Sequence, residues 1–367
     1  MIILPYLKYV PNIGLNVQKH PSSVVIGRAQ IATDCALGRY TVVRADGEEV
    51  HIGAGCWFGD GSTVHIKDQR FPAIVGARVT TGSHSLIHAC TVGDDCVIGE
   101  QSVVMDGSIL GAGSVIAAGS VVTPGKTLEG GWLYAGIPAR PINRVSRALL
   151  DSLHRSMRTS LRTEGEPIFA AAGWQEPRHT PGIGSESIVA EGAYVAPTAS
   201  IAGKVTLAAQ TSVWFGVEID AGEACISIGE QTNVQDNSRL YAGTPGENIL
   251  IGPRVTIGHN VSMFASTIEE GAVIGMCAVI GKGTVVRAGG VVAAGSVTEP
   301  GTEVAAGHIW SGRPARATRE LSESNREDFA RTAQMYVEYS KNYLAQEPHL
   351  LGKQEEQLSG RSKLPCR

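Results

Sequence analysis

Aromatic residues make up only 5% of the 367-residue chain and charged residues only 18%. With 43% hydrophobic residues, so little charge does not fit intrinsic disorder, which pairs low hydrophobicity with high charge. Positive charge is not in excess. Against 35 Asp and Glu stand 31 Lys and Arg, a formal net charge of −4, so no basic field exists to hold nucleic acid. Long apolar runs are missing too; none reaches the roughly 18 residues of a membrane-spanning helix. The seven cysteines (35, 56, 90, 96, 225, 277, 366) include no C-x-x-C pair. An odd, scattered set points to reduced thiols. The opening segment MIILPYLKYVPNIG is short, is broken by Pro5 and Pro11, and lacks a basic n-region and a small-residue cleavage site. We therefore expect a cytoplasmic protein with no secretion signal, no nucleic-acid partner and no membrane partner.

Glycine is what the chain has in plenty. The 45 glycines are about 12% of the residues, against a usual level of about 7%. That content disfavours a coiled coil, because glycine is a poor helix former. Aliphatic residues recur every six positions, at Val92, Ile98, Val104, Leu110, Ile116 and Val122, and again at Ile268, Ile274, Ile280, Val286 and Val292. A period of six matches neither a helix at 3.6 nor a plain strand at 2. It matches an all-β solenoid of short parallel strands, with one apolar residue per face turned inward and small residues at the corners.

A longer repeat contains the short one. RVTTGSHSLIHA at 78–89 matches RVTIGHNVSMFA at 254–265, and AAGSVVTPG at 117–125 matches AAGSVTEPG at 293–301. The offset is 176 residues throughout, from Arg78 to Arg254 and from Pro138 to Pro314. The chain reads as a tandem duplication: residues 1–158 as a solenoid with a short helix from Val145 to Arg158, 159–190 as a linker, and 191–367 as a second solenoid with a longer terminal helix. Gly165, Pro167, Gly173, Pro177 and Pro181 mark the linker. Ser324 and Glu327 read as a capping box for the last helix, with Phe329, Ala333, Val337, Tyr343 and Leu344 as its apolar stripe.

Local motifs narrow the class. SVWFG at 212–216 precedes TNVQDNSRLY at 232–241 and IGPRVTIGHN at 251–260, followed by a Pro-Ala-Arg turn and the long helix. This run resembles the γ-class carbonic anhydrases over nearly all of both halves. The resemblance implies two left-handed parallel β-helix domains, and a zinc held by three histidines contributed from both sides of an interface between adjacent prisms. The family pattern is Arg-Gly-Asp, then Asn-x-Gln-Asp-x-Ser-x-x-His, then Gly-His-Asn-x-x-x-His. In the first half VVRAD supplies Arg44 and Asp46, and WFGDGSTVH supplies Asp60 and His65, with Trp57 and Gly59 in the Asn and Gln positions. GSHSLIH supplies His88, while Ser83 stands where the middle His belongs. The second half is the reverse. It keeps Asn233, Gln235, Asp236 and His259 but has Tyr241 and Phe264 at the outer ligand positions and Asp220-Ala221-Gly222 for Arg-Gly-Asp.

Neither half has three ligands, and the losses are complementary. The resemblance thus implies one composite site with His65, His88 and His259 as metal ligands, three imidazoles being the set of a catalytic zinc with an open position. Iron or cobalt are alternatives to zinc. Gln235 takes the place of the family residue that holds the reacting oxygen, and Arg44, Asp46 and Asp60 that of the family's interface ion-pair group. Glu48, Glu49 and Asp68 are acidic groups within reach of a proton-relay role, or simply solvated loop charges. His84 would need a bulge to reach a metal, since successive strand residues face opposite ways. His20, His51, His154, His179, His308 and His349 read as surface groups.

Four functions stay open at this point. One is a zinc lyase in which activated water attacks CO2 or a related carbonyl. The second is a zinc hydrolase of a thioester, ester or amide. The third is a hexapeptide acyltransferase recruiting His84 or His259. The last is a non-catalytic assembly subunit. The expected partners are a small-molecule substrate and further copies of the chain, as a dimer or trimer.

Overall fold

The computed structural model describes residues 1–68, 70–160 and 180–346. Most of the expected linker, with Gly165, Pro167, Gly173 and Pro177, and the tail with His349 and Cys366 lie outside the described residues. The chain forms two units, Met1–Thr180 and Pro181–Arg367. Each is a parallel-stranded solenoid that ends in an antiparallel hairpin and a helix.

In the first unit most strands are two or three residues long, and strands one coil apart pair in parallel to build three faces. Two strands are far longer, Val24–Ile31 and Val42–Ile52, at 8 and 11 residues. Val42–Ile52 pairs with Thr63–His65 through its first residues and with Ala73–Val75 through its last. It therefore runs through a corner and fuses two faces into one 12-stranded sheet, while the third face is an 8-stranded sheet. The six-residue period is the core itself. Val92, Ile98, Val104, Leu110, Ile116 and Val122 are all buried in one cluster, and each such side chain contributes roughly 1.5–3 kcal/mol by leaving water. The buried thiols of Cys35, Cys56, Cys90 and Cys96 sit in that cluster as free cysteines. Burial pushes the Cys96 thiol up to about 12, so it behaves as a small apolar group.

The corner within the strand Val24–Ile31 rests on Gly27. Its φ is +70°, and a Cβ there would lie 2.3 Å from the carbonyl oxygen of Ala45. Gly203 holds the same place in the second unit with φ +76°. Gly27→Ala is expected to destabilise the first unit by about 1–3 kcal/mol through backbone strain. A thermal midpoint equal to wild type would show that the corner relaxes freely.

The second unit repeats the first at the same offset. Glu218–Ile228 corresponds to Val42–Ile52, Arg239–Tyr241 to Thr63–His65, and Ser262–Phe264 to Leu86–His88. It also starts earlier than the expected boundary at residue 191. Gly182–Ile183 and Ile188–Val189 already pair with Ser200–Leu207. The proline and glycine signals of a linker are equally those of solenoid corners, so they misplace its end.

The helix α1, Arg147–Ser160, is capped by the Ser146 hydroxyl, which accepts the Leu149 N–H at 3.2 Å. The helix α2, Glu323–Gln346, is capped by Ser322 rather than by Ser324; the Ser322 hydroxyl accepts the Asn325 N–H at 3.2 Å. Its buried face is Ala333, Tyr336, Val337, Tyr339, Ser340 and Tyr343. Tyr336 and Tyr343 meet the buried Trp214 ring edge-on, each at 5.3 Å between centroids, which fixes α2 on the second solenoid.

Candidate metal centre

On the first face of the first unit, side chains alternate in and out. Val43, Val64 and Ile87 fill the core, so Arg44, His65 and His88 point outward from it. Register stacks these three in one column: Arg44 opposite His65, and His65 opposite His88. The two imidazole centroids are 5.4 Å apart in an edge-on arrangement. One ligand nitrogen from each lies within 4.8 Å of the other.

Each ring is held through Nδ1. The Nδ1–H of His65 donates to the Arg44 carbonyl at 2.9 Å, and its Nε2 accepts from Arg44 Nη2 at 2.9 Å. His88 Nδ1 donates to Asp106 Oδ1 at 2.5 Å. The other Asp106 oxygen takes Lys67 Nζ at 2.6 Å. Burial alone would raise the Asp106 carboxyl, but the charge and hydrogen bond of His88, joined by Lys67, hold it well below the usual carboxylate range. Arg44 Nη1 pairs with Asp46 Oδ2 at 2.8 Å, with both side chains wholly buried. Asp60 lies elsewhere. It accepts from the Arg39 backbone N–H at 2.7 Å and from Arg39 Nε at 2.9 Å, so its partner is Arg39 and not the Arg44–Asp46 pair. Glu49 is engaged by Arg28 and by His51, the latter at 2.6 Å.

In the second unit His259 is fully buried at the corner after Thr256–Ile257. Its Nδ1 is 3.1 Å from Asp236 Oδ2, and its Nε2 lies 3.4 Å from the Tyr336 hydroxyl. Asp236 Oδ1 accepts the Phe215 N–H at 3.0 Å. Gln235 donates to Asn233 Oδ1 at 3.0 Å, and Asn233 donates to Thr256 Oγ1 at 3.0 Å. These amides form a buried polar ladder beside the corner that carries His259. The column equivalent to Arg44, His65 and His88 here is Asp220, Tyr241 and Phe264, in the same register.

The structure thus gathers Arg44, Asp46, His65 and His88 in the first unit, and Gln235, Asp236 and His259 in the second. Asp106, Lys67 and Tyr336 are polar partners that the motifs did not single out. Asp106 follows His88 by 18 residues, one full coil, and reading the sequence by coils would have found it.

A hexapeptide-repeat solenoid bearing a stacked, oriented histidine pair defines the class of protein. The chain matches the bacterial transferase hexapeptide family (six repeats) over residues 89–124. A carbonic anhydrase of Geobacillus kaustophilus is 36% identical over 157 residues, covering 43% of this chain and 86% of that protein. Gamma carbonic anhydrase 3, a mitochondrial protein of Arabidopsis thaliana, is 44% identical over 157 residues, covering 41% of this chain and 60% of the plant protein. The chain spans 56 to 60% of the length of the Arabidopsis relatives it matches. A solved structure from Desulfovibrio desulfuricans G20, described as a proposed acetyltransferase, aligns over 95% of this chain and 83% of its own with a TM-score of 0.56 and 13% identity, a likeness of fold alone. The chain belongs to the γ-carbonic anhydrase-like hexapeptide-repeat family. No helix among the described residues is long and apolar enough to cross a membrane.

Proposed function

We propose that this chain is a zinc-dependent enzyme of the γ-carbonic anhydrase type, with His65, His88 and His259 serving as one ligand set, acting as a homo-oligomer on CO2 or a related carbonyl. The observation that carries this reading is the stacked His65–His88 pair, with both Nδ1–H groups pinned to oxygen. A metal-binding imidazole must be neutral, with one nitrogen donating and the other offering its lone pair. Both rings meet that requirement through Nε2. On His65 that lone pair also takes an Arg44 N–H, and Arg44 keeps its bond to Asp46 when the contact is given up.

When bound, zinc supplies a Lewis acid that activates water at neutral pH. The chain's own residues do the rest. Arg44 and Asp46 form a fixed buried dipole behind His65. Asp236 lies against the Nδ1 side of His259, and the buried amide of Gln235 offers a neutral polar group to an oxygen of substrate. A zinc hydrolase on an ester, thioester or amide would use the same groups. The acyltransferase reading rests on the match at 89–124, and most of the apolar residues in that span build the core rather than a site.

Metal analysis of the purified full chain is expected to give about one zinc per chain, as one three-imidazole set requires. CO2 hydration should vanish on chelation and return with zinc. Two zincs per chain would contradict a single shared set, and none would remove the metal from the mechanism. Zinc with esterase or thioesterase turnover but no CO2 hydration would select the hydrolase.

A further inference from the structure

We propose that Asp106 is a positioning residue for the metal centre, holding His88 in the one tautomer and orientation that leaves Nε2 to the metal, with Lys67 tethering its carboxylate. This rests on the metal reading above. A short 2.5 Å contact joins His88 Nδ1 to Asp106 Oδ1, and 2.6 Å separates Asp106 Oδ2 from Lys67 Nζ. The Asp106 side chain is only 12% exposed, so its carboxylate acts in a poorly solvated setting where a charge-assisted hydrogen bond is strong. Both of its oxygens are engaged from fixed directions, so the acceptor cannot swing away from the ring. The two histidines of the column are therefore supported unequally: His65 by a neutral carbonyl and His88 by a carboxylate. A carboxylate partner makes the imidazole the more basic ligand.

The second unit is an internal control. At the 176-residue offset Phe264 replaces His88, Lys282 replaces Asp106 and Gly243 replaces Lys67. The support position has inverted its charge where the ligand was lost, and Lys282 turns to Glu247 instead. A carboxylate at this place serves the imidazole; the solenoid itself folds without it.

The test uses the full-length chain freed of metal, its Asp106→Ala and Asp106→Asn variants, and two readouts. The first is ¹⁵N NMR of labelled histidine, without metal. Wild type is expected to show His88 protonated at Nδ1 only. Asp106→Ala should show the Nε2–H form populated, and Asp106→Asn, which keeps an acceptor oxygen, should restore the wild-type pattern. The second is titration with cobalt(II), followed by its visible absorption. Asp106→Ala should bind roughly 10–100-fold more weakly and Asp106→Asn close to wild type. A wild-type tautomer in Asp106→Ala, or an Asn variant as impaired as Ala in both readouts, would overturn the positioning role. Wild type that holds the Nδ1–H tautomer yet binds no cobalt would instead overturn the metal reading and leave the positioning intact. Asp106→Asn keeps the test sound where the alanine variant folds poorly.

Discussion

His259→Ala is expected to strip the protein of most of its zinc and its activity, although His259 lies in a different repeat from His65 and His88. Two imidazoles hold zinc far less well than three. The loss should exceed the roughly 10–100-fold that removal of a ligand's supporting hydrogen bond costs. Residues that act as one unit are non-additive. His65→Ala combined with His259→Ala should therefore cost little more than either change alone. Ser83→His should add no zinc, because the set is already complete without it. The zinc-to-chain ratio and the rate of CO2 hydration read all of these variants. An His259→Ala protein with full zinc and full rate would assign the metal to the first repeat alone.

Arg44→Ala is expected to damage the fold as well as the site. Arg44 and Asp46 pair at 2.8 Å with both side chains wholly buried. Removing the cation leaves a carboxylate without its charge partner in a poorly solvated place, at a cost of about 3–5 kcal/mol. The double replacement Arg44→Met with Asp46→Leu removes both charges and should cost clearly less. Urea denaturation of the metal-free chain separates this from any effect of zinc. A loss below about 1 kcal/mol in the single variant would mean that water reaches Asp46 and that the pair does not act as a buried one.

The sequence carried the fold further than the site. A period of six has no other simple physical reading, and the 176-residue offset places Glu218–Ile228 over Val42–Ile52 without any structural input. What it hid were partnerships between side chains one coil or one helix away. Asp106 is separated from Lys67 by 39 residues and Tyr336 from His259 by 77. No linear motif spans such distances, because the coil and the helix docking set them. Asp60 shows how a motif can group residues that one coil keeps apart. Its place in a familiar motif set it with Arg44 and Asp46, and within the first unit Arg39, across one coil, holds both of its oxygens. Tyr336 escaped because the apolar stripe was read from Phe329, Ala333, Val337, Tyr343 and Leu344. The buried face of α2 also takes in Tyr336, which joins Tyr343 against Trp214 of the solenoid, and Tyr339, which packs on Tyr336.

The coils that bear Arg44, His65 and His88 are interior ones, with further coils stacked before and after them. In such a quasi-one-dimensional stack each coil is held by its two neighbours, and opening starts at the ends. The hairpin Trp132–Arg144 at one end can fray without loosening a single backbone bond of the histidine column. Slowest hydrogen exchange therefore belongs to the rungs beneath His65 and His88, and that histidine column is seated in the last part of the first repeat to open.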